Sequence, residues 1–234
     1  MGRHFEVRAA AMAASAKAKS AIYMRASKEI YAAAKSGVPD PEANLALRSA
    51  IEKYRKSCPR DVIDRAIEKA KGGDTVAYIP GRYEFFGAGN SYVIVDTLSD
   101  NPNRALVTVR TIVTRKGGKM GNVAYNFNNL GVIDFKGENR DEVEEALILG
   151  DVDVQSVTLE DGMIEVLVAP SDLAKATDVL KDLGIVDLES AETTMIPNDY
   201  VTLDEEDLGK FHRMLEELDE AEDVQAVYHN VENA

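Results

Sequence analysis

The side chains of this chain best suited to chemistry are its cations, and the chemistry they suit is electrostatic attachment to phosphate. Arg3, His4, Arg8, Lys17, Lys19, Arg25, Lys28 and Lys35 are strung along the first 36 residues, a segment with more charge than core-forming side chains. A second set follows in the middle of the chain: Arg104 and Arg110, then Arg115, Lys116 and Lys119 around Gly117 and Gly118. Lysine and arginine placed along a nucleic-acid backbone release its condensed counterions, and that release drives binding. The run "RKGGKMG" has the glycines of a phosphate loop without its "GK[ST]" ending, and it precedes a strand rather than a helix, which argues against nucleotide hydrolysis. Its backbone N–H groups and three cations still suit one nucleic-acid phosphate. "GAGN" lacks the third glycine of a dinucleotide fingerprint and reads as a turn.

Catalysis needs a constellation, and none assembles. His4, His212 and His229 have no spacing to one another or to Cys58 that fits a metal or a nucleophile pair. No catalytic residue, metal, cofactor or small-molecule substrate is expected. The acidic runs "DEVEE" and "DEED" open helices, where the dipole favours them. "EELDEAED" lies near a helix C-terminus instead, which leaves a solubilising face or a surface for a basic partner.

Charge is distributed unevenly over the 234 residues, whose net charge is −14. Residues 1–71 hold 15 Lys+Arg against 8 Asp+Glu, a balance of +7, and the remainder holds 12 against 33, a balance of −21. A basic module on an acidic body is the pattern of a protein that grips a polyanion while staying soluble. One cysteine makes no internal disulfide, and no apolar run approaches the roughly 20 residues of a membrane span. The start "MGRHFEVRAAAM" has no long apolar region. A cytoplasmic protein with no membrane partner is expected.

The elements that position these residues are legible in turn. An Ala-rich helix over 8–36 carries the stripe Ile22, Ala26, Ile30 and Ala33. Asp40 before Pro41 predicts a second helix start, with Leu47, Ile51 and Tyr54 inside. Pro59 opens a third helix, stopped by Gly72 and Gly73. From Arg82 onward the pattern predicts an aromatic strand, the β-branched strand around Val93–Val95, a helix with Val109, Ile112 and Val113, and a strand at "VAYNF". Residues 131–195 read as βαββαβ, with Asn139 and Glu142 as a capping box, Asp161-Gly162 as a hairpin turn and Ser171 as a helix cap. The tail reads as a strand at "DYVTL", a helix capped by Asp204 with Leu203 and Leu208 as staple, and a strand at "VQAVYHNV" that completes the sheet begun at Arg82. The fold class is therefore α+β. A three-helix basic domain at 1–75 precedes an α/β sheet domain at 76–130 and 196–234, which carries an inserted ferredoxin-like domain at 131–195.

The ordered set "RYEFFGAGNSYVIVDTLSDNPNRALVTVR", "GGKMG" and "VAYNF", with "DPEANLALRSAIEKYRK" and "PRDVIDRAIEKAKGG" upstream and "VQAVYHNV" downstream, resembles the YebC/PmpR family over nearly the whole chain. The resemblance implies the same three-domain layout and a non-enzymatic, DNA-binding transcriptional regulator. Relatives that include a mitochondrial translational activator imply the alternative of a ribosome-associated factor binding ribosomal RNA. An adaptor whose acidic body binds a basic partner is the alternative of another class. The sequence departs from the family where Phe85 replaces the usual Gly, where Ala88 replaces the usual Pro, and between Gly121 and Val123, which is shortened. Ala9, Ala11, Met12 and Ser15 occupy a run that is usually Lys-rich, so fewer phosphate contacts are expected there.

Overall fold

A computed structural model describes residues 16–73 and 76–234, which divide into two compact units, Asn128–Ile196 and the rest. The larger unit begins with α1 (Ala16–Lys35), α2 (Leu45–Tyr54) and α3 (Arg60–Lys71). Ala26, Ile30 and Ala34 recur every four residues on α1 and close against Leu47, Ala50, Tyr54, Ile63, Ala66 and Ile67. The small alanines let the helix axes approach, so a short bundle encloses a continuous core. The start of α2 differs from expectation. Asp40 closes a turn by accepting from the Glu42 N–H at 3.0 Å, and the cap is Asn44, whose side-chain oxygen accepts from the Leu47 N–H at 3.1 Å. Asn44 prevails because its amide also donates to the carbonyls of Ala33 and Val38, which ties the loop to the end of α1.

The sheet of this unit contains β1 (Ile79–Phe86), β2 (Tyr92–Ser99), the two-residue β3 (Lys119–Met120) and β8 (Val224–His229), in the order β3-β1-β2-β8. Pairing is antiparallel, with Phe85 opposite Val93 and Val95 opposite Val227. Alternation sends Phe85, Val93 and Val95 to one face. There they meet Val109 and Val113 of α4 (Pro102–Arg115) and Phe211, Met214 and Leu218 of α7 (Glu205–Glu220). Asn101 caps α4 by accepting from the Arg104 N–H, and Asp204 caps α7 by accepting from the Asp207 N–H.

Two expected strands do not form. "VAYNF" becomes a 3-10 turn at Ala124–Asn126, because the Glu84 carboxylate takes the N–H groups of Val123 (2.7 Å) and Ala124 (2.8 Å) that a ladder would need. "DYVTL" keeps a single parallel bridge between Val201 and Val231, and the Asn233 side chain takes both backbone groups of Leu203.

The smaller unit runs β4 (Phe127–Lys136), α5 (Arg140–Leu149), β5 (Val154–Glu160), β6 (Met163–Val168), α6 (Leu173–Asp182) and β7 (Leu188–Pro197). Its sheet order is β5-β6-β4-β7, the arrangement of a split βαββαβ unit, with Ile133, Phe135, Ile164 and Val166 packed against Val143, Leu147, Ala176 and Leu180. Asn139 caps α5 by accepting from the Glu142 N–H, but the Glu142 carboxylate accepts from the Asn139 side-chain amide rather than from its backbone N–H, so the expected capping box is only half made. Ser171 caps nothing: Pro170–Asp172 is a 3-10 turn, and the Asp172 carboxylate accepts from the Asp153 N–H.

Candidate nucleic-acid interface

The cations singled out by sequence fall into three groups. Arg3, His4 and Arg8 lie outside the described residues, as does the side chain of Lys17. Four others are engaged inside the protein. Arg25 donates to the Val224 carbonyl at 3.0 Å and to the Asp219 carbonyl at 2.8 Å, and pairs with the Asp219 carboxylate at 2.8 Å. Lys28 donates to Asp223 Oδ1 at 3.1 Å and to the Glu222 carbonyl at 2.9 Å. Arg104 reaches Asp223 Oδ2 at 3.0 Å and Asp100 at 2.7 Å, and Lys116 pairs with Glu217 at 2.7 Å.

The remaining cations face outward. Lys35 caps the chain end of α3 by donating to the Gly72 carbonyl, and its ammonium lies 5.9 Å from the centre of the Tyr31 ring. Lys119 lies over the Phe86 ring at 5.8 Å. Lys19, Arg110 and Arg115 are exposed and make no ion pair among the described residues.

The acidic run "EELDEAED" thus has a basic partner within the same chain. Asp219, Glu222 and Asp223 sit where α7 ends, and the helix carbonyls of that end add their own negative potential. Arg25 and Lys28 of α1 close on this spot from one side and Arg104 from the other. Burial works to raise the pKa of Asp223, but hydrogen bonds from Lys28, Arg104 and Ser99 and the Lys28 charge outweigh it and hold the carboxyl below its usual range. The sequence reading missed this joint. Charge complementarity between α1 and the acidic run was its only trace, and the two lie almost 200 residues apart.

The turn after α4 does not offer its backbone to a phosphate. The Gly117 N–H donates to the Thr114 carbonyl and the Gly118 N–H to the Val113 carbonyl, both at 3.1 Å, with Gly117 at φ +89°. This is a Schellman cap of the helix, so only the side chains of the turn remain available.

His212 lies near enough to His229 for its charge to act on that ring, and Cys58 belongs to the core of the helical module. Burial drives the His229 imidazole down to about 4, and its ring packs edge-on against Phe211 at 5.1 Å. The Cys58 thiol is raised by burial and then by the Asp61 charge, which disfavours the thiolate that reactivity requires. Among the described residues no group of three or more His, Cys, Asp or Glu gathers as metal ligands, and no helix is long and apolar enough to cross a membrane.

A three-helix basic module followed by a four-stranded sheet and a βαββαβ unit defines a mixed α+β protein of known type. The chain belongs to the TACO1/YebC family: residues 3–73 match its N-terminal domain, and residues 78–231 match its second and third domains. It is 44% identical over 237 residues, covering 100% of both chains, to the probable transcriptional regulatory protein YeeN of Escherichia coli (strain K12) and to that of Shigella sonnei (strain Ss046). The crystal structure of a conserved hypothetical protein, Aq1575 from Aquifex aeolicus, is similar at 30% identity with a TM-score of 0.75, over 91% of this chain and 89% of that one.

Proposed function

We propose that this chain is a non-enzymatic, cytoplasmic regulator of transcription that binds DNA through its basic N-terminal module. The observation that carries the reading is the charge division, +7 in residues 1–71 against −21 in the rest. The names of the full-length relatives support it, and the raised Cys58 thiol and the buried, depressed His229 imidazole are consistent with a non-enzymatic role. Because Arg25 and Lys28 hold the module to the body, the phosphate contacts fall to Lys19 with Arg3, His4, Arg8 and Lys17, and to the outward Lys35, Arg110, Arg115 and Lys119. The three-domain division at 1–75, 76–130 with 196–234, and 131–195 is part of this proposal.

The test is fluorescence anisotropy with mixed-sequence duplex DNA across a salt series. Lys17→Glu with Lys19→Glu is expected to lower the slope of log affinity against log salt by about 1.8, at about 0.9 per lost contact. Lys175→Glu with Lys181→Glu, on the βαββαβ unit, leaves it unchanged. Selection from a random duplex pool then enriches particular sequences, as base-edge contacts require. Absence of binding at low salt overturns the reading. Absence of enrichment, with co-sedimentation on ribosomes, replaces DNA by ribosomal RNA.

A further inference from the structure

Beside the Gly117 turn lies an open groove of about 590 Å³, with Arg115, Lys116 and Gly117 on one wall and Lys210 and Arg213 of α7 on the other. Its composition is unlike that of the acidic body around it. Residues 72–234 contain 33 carboxylates and 12 Lys+Arg, so most basic side chains there have an acid in reach. Arg82, Arg104 and Arg140 are each paired with carboxylates. Arg110, Arg115 and Arg213 are not, among the described residues, and two of these three line this groove.

The acids at the groove are Asp207, which lines it, and Glu206 and Glu217, which hold its lysines. Lys210 engages Glu206 at 2.8 Å and Asp207 at 3.2 Å, and Lys116 engages Glu217 at 2.7 Å. Both guanidiniums therefore stay open. Arg213 donates from Nε to the Gly209 carbonyl of its own helix at 2.8 Å, which orients the planar group and leaves its outer N–H fork without a partner among the described residues. A Cβ at Gly209 meets nothing within 4 Å except that guanidinium, at 3.6 Å. Glycine inside a helix costs about 1 kcal/mol relative to alanine, and packing within the protein does not call for it here. It leaves the helix backbone bare beside Arg213, as close approach of a ligand requires.

We infer that this groove is a second phosphodiester-binding site, at which Arg115 and Arg213 take the phosphate oxygens of a nucleic-acid backbone and Lys116 and Lys210 set the positive margin. Open guanidinium forks match phosphate oxygens in geometry as well as charge. The polymer rests on the nucleic-acid reading given above, whereas the phosphate chemistry of the groove stands independently of it.

The experiment uses the full chain carrying Arg115→Gln and Arg213→Gln, titrated with duplex DNA and with single-stranded RNA across a salt series. Loss of both contacts lowers the slope of log affinity against log salt by about 1.8 on duplex or about 1.4 on single strands, and the polymer that shows the loss is the one the groove serves. Lys136→Gln with Lys181→Gln removes the same charge elsewhere and leaves the slope as it was. Gly209→Ala, which favours the helix, keeps the fold and weakens binding. A double variant that binds both polymers with wild-type slope overturns the site. If the wild type binds neither polymer, the regulatory reading fails first, and the groove is tested by adding inorganic tripolyphosphate and following amide resonances. Shifts at Gly117, Gly209 and Lys210 that vanish in the double variant uphold the site, and their absence overturns it.

Discussion

Replacing Asp223 with alanine tests the joint between the basic module and the body. The Asp223 side chain is 9% exposed and Lys28 is 11% exposed, so their contact at 3.1 Å is largely shielded from water. Removing one partner of a buried pair costs about 3–5 kcal/mol, because the other charge stays desolvated. Two features reduce that figure here. Arg104 is 48% exposed and keeps Asp100, so water and that carboxylate replace what it loses, and Lys28 falls back on the carbonyl and carboxylate of Glu222. The expected loss is about 2–3 kcal/mol at pH 7, read by urea denaturation of the transition that carries the larger unit. The pH dependence has a definite sign. The folded pKa of Asp223 is lowered, so its contribution is present above the usual carboxylate range and disappears as pH falls through the folded value. The gap between wild type and variant therefore narrows below about pH 4. Equal stabilities at pH 7, or a gap that persists unchanged at pH 2, would refute the assignment of Asp223 as the charge that holds the module.

His229 has a depressed folded pKa of about 4, so its neutral form contributes stability above pH 6.5 that is lost as pH falls toward 4. The loss amounts to about 3 kcal/mol. Urea midpoints at pH 7 and pH 4.5 are expected to diverge less in His229→Gln, and the wild-type imidazole resonance is expected not to titrate near pH 6.5. Asn44→Ala removes a helix cap and two loop hydrogen bonds together and is expected to lower stability by about 2 kcal/mol, whereas Asp40→Ala costs less than half of that, by the same denaturation assay. Limited trypsin digestion is expected to cut first between Lys71 and Ile79. The two fragments stay together on a sizing column at low salt and separate more readily at high salt, because ion pairs at Arg25 and Lys28 contribute to holding them. A first cut inside β2 or α4 counts against this division.

The sequence alone determined most of the local structure, because local structure follows from periodicity, caps and turn chemistry over a few residues. The alanine-rich helix, the N-cap at Asn139, the Asp161-Gly162 hairpin and the β-branched β2 each have their cause within a short window. Where a competing side chain or a distant partner intervened, the reading failed: Asn44 displaced Asp40 as a cap, Asp172 was drawn to the Asp153 N–H 19 positions away, and Glu84, 39 positions before Val123, took the backbone groups of "VAYNF". The charge division was likewise legible, since it is a count. What each charge does was not, because the partner of a cation is chosen by tertiary proximity. Arg25, Lys28 and Arg104 read from composition as free phosphate ligands, yet folding brings all three to the C-terminal end of α7. The same folding leaves Arg115 and Arg213 open and together, although 98 positions separate them in the chain and only Arg115, in "RKGGKMG", has a motif that marks it. A carboxylate in a sheltered setting binds the nearest cation strongly, and only the packed chain says which one that is.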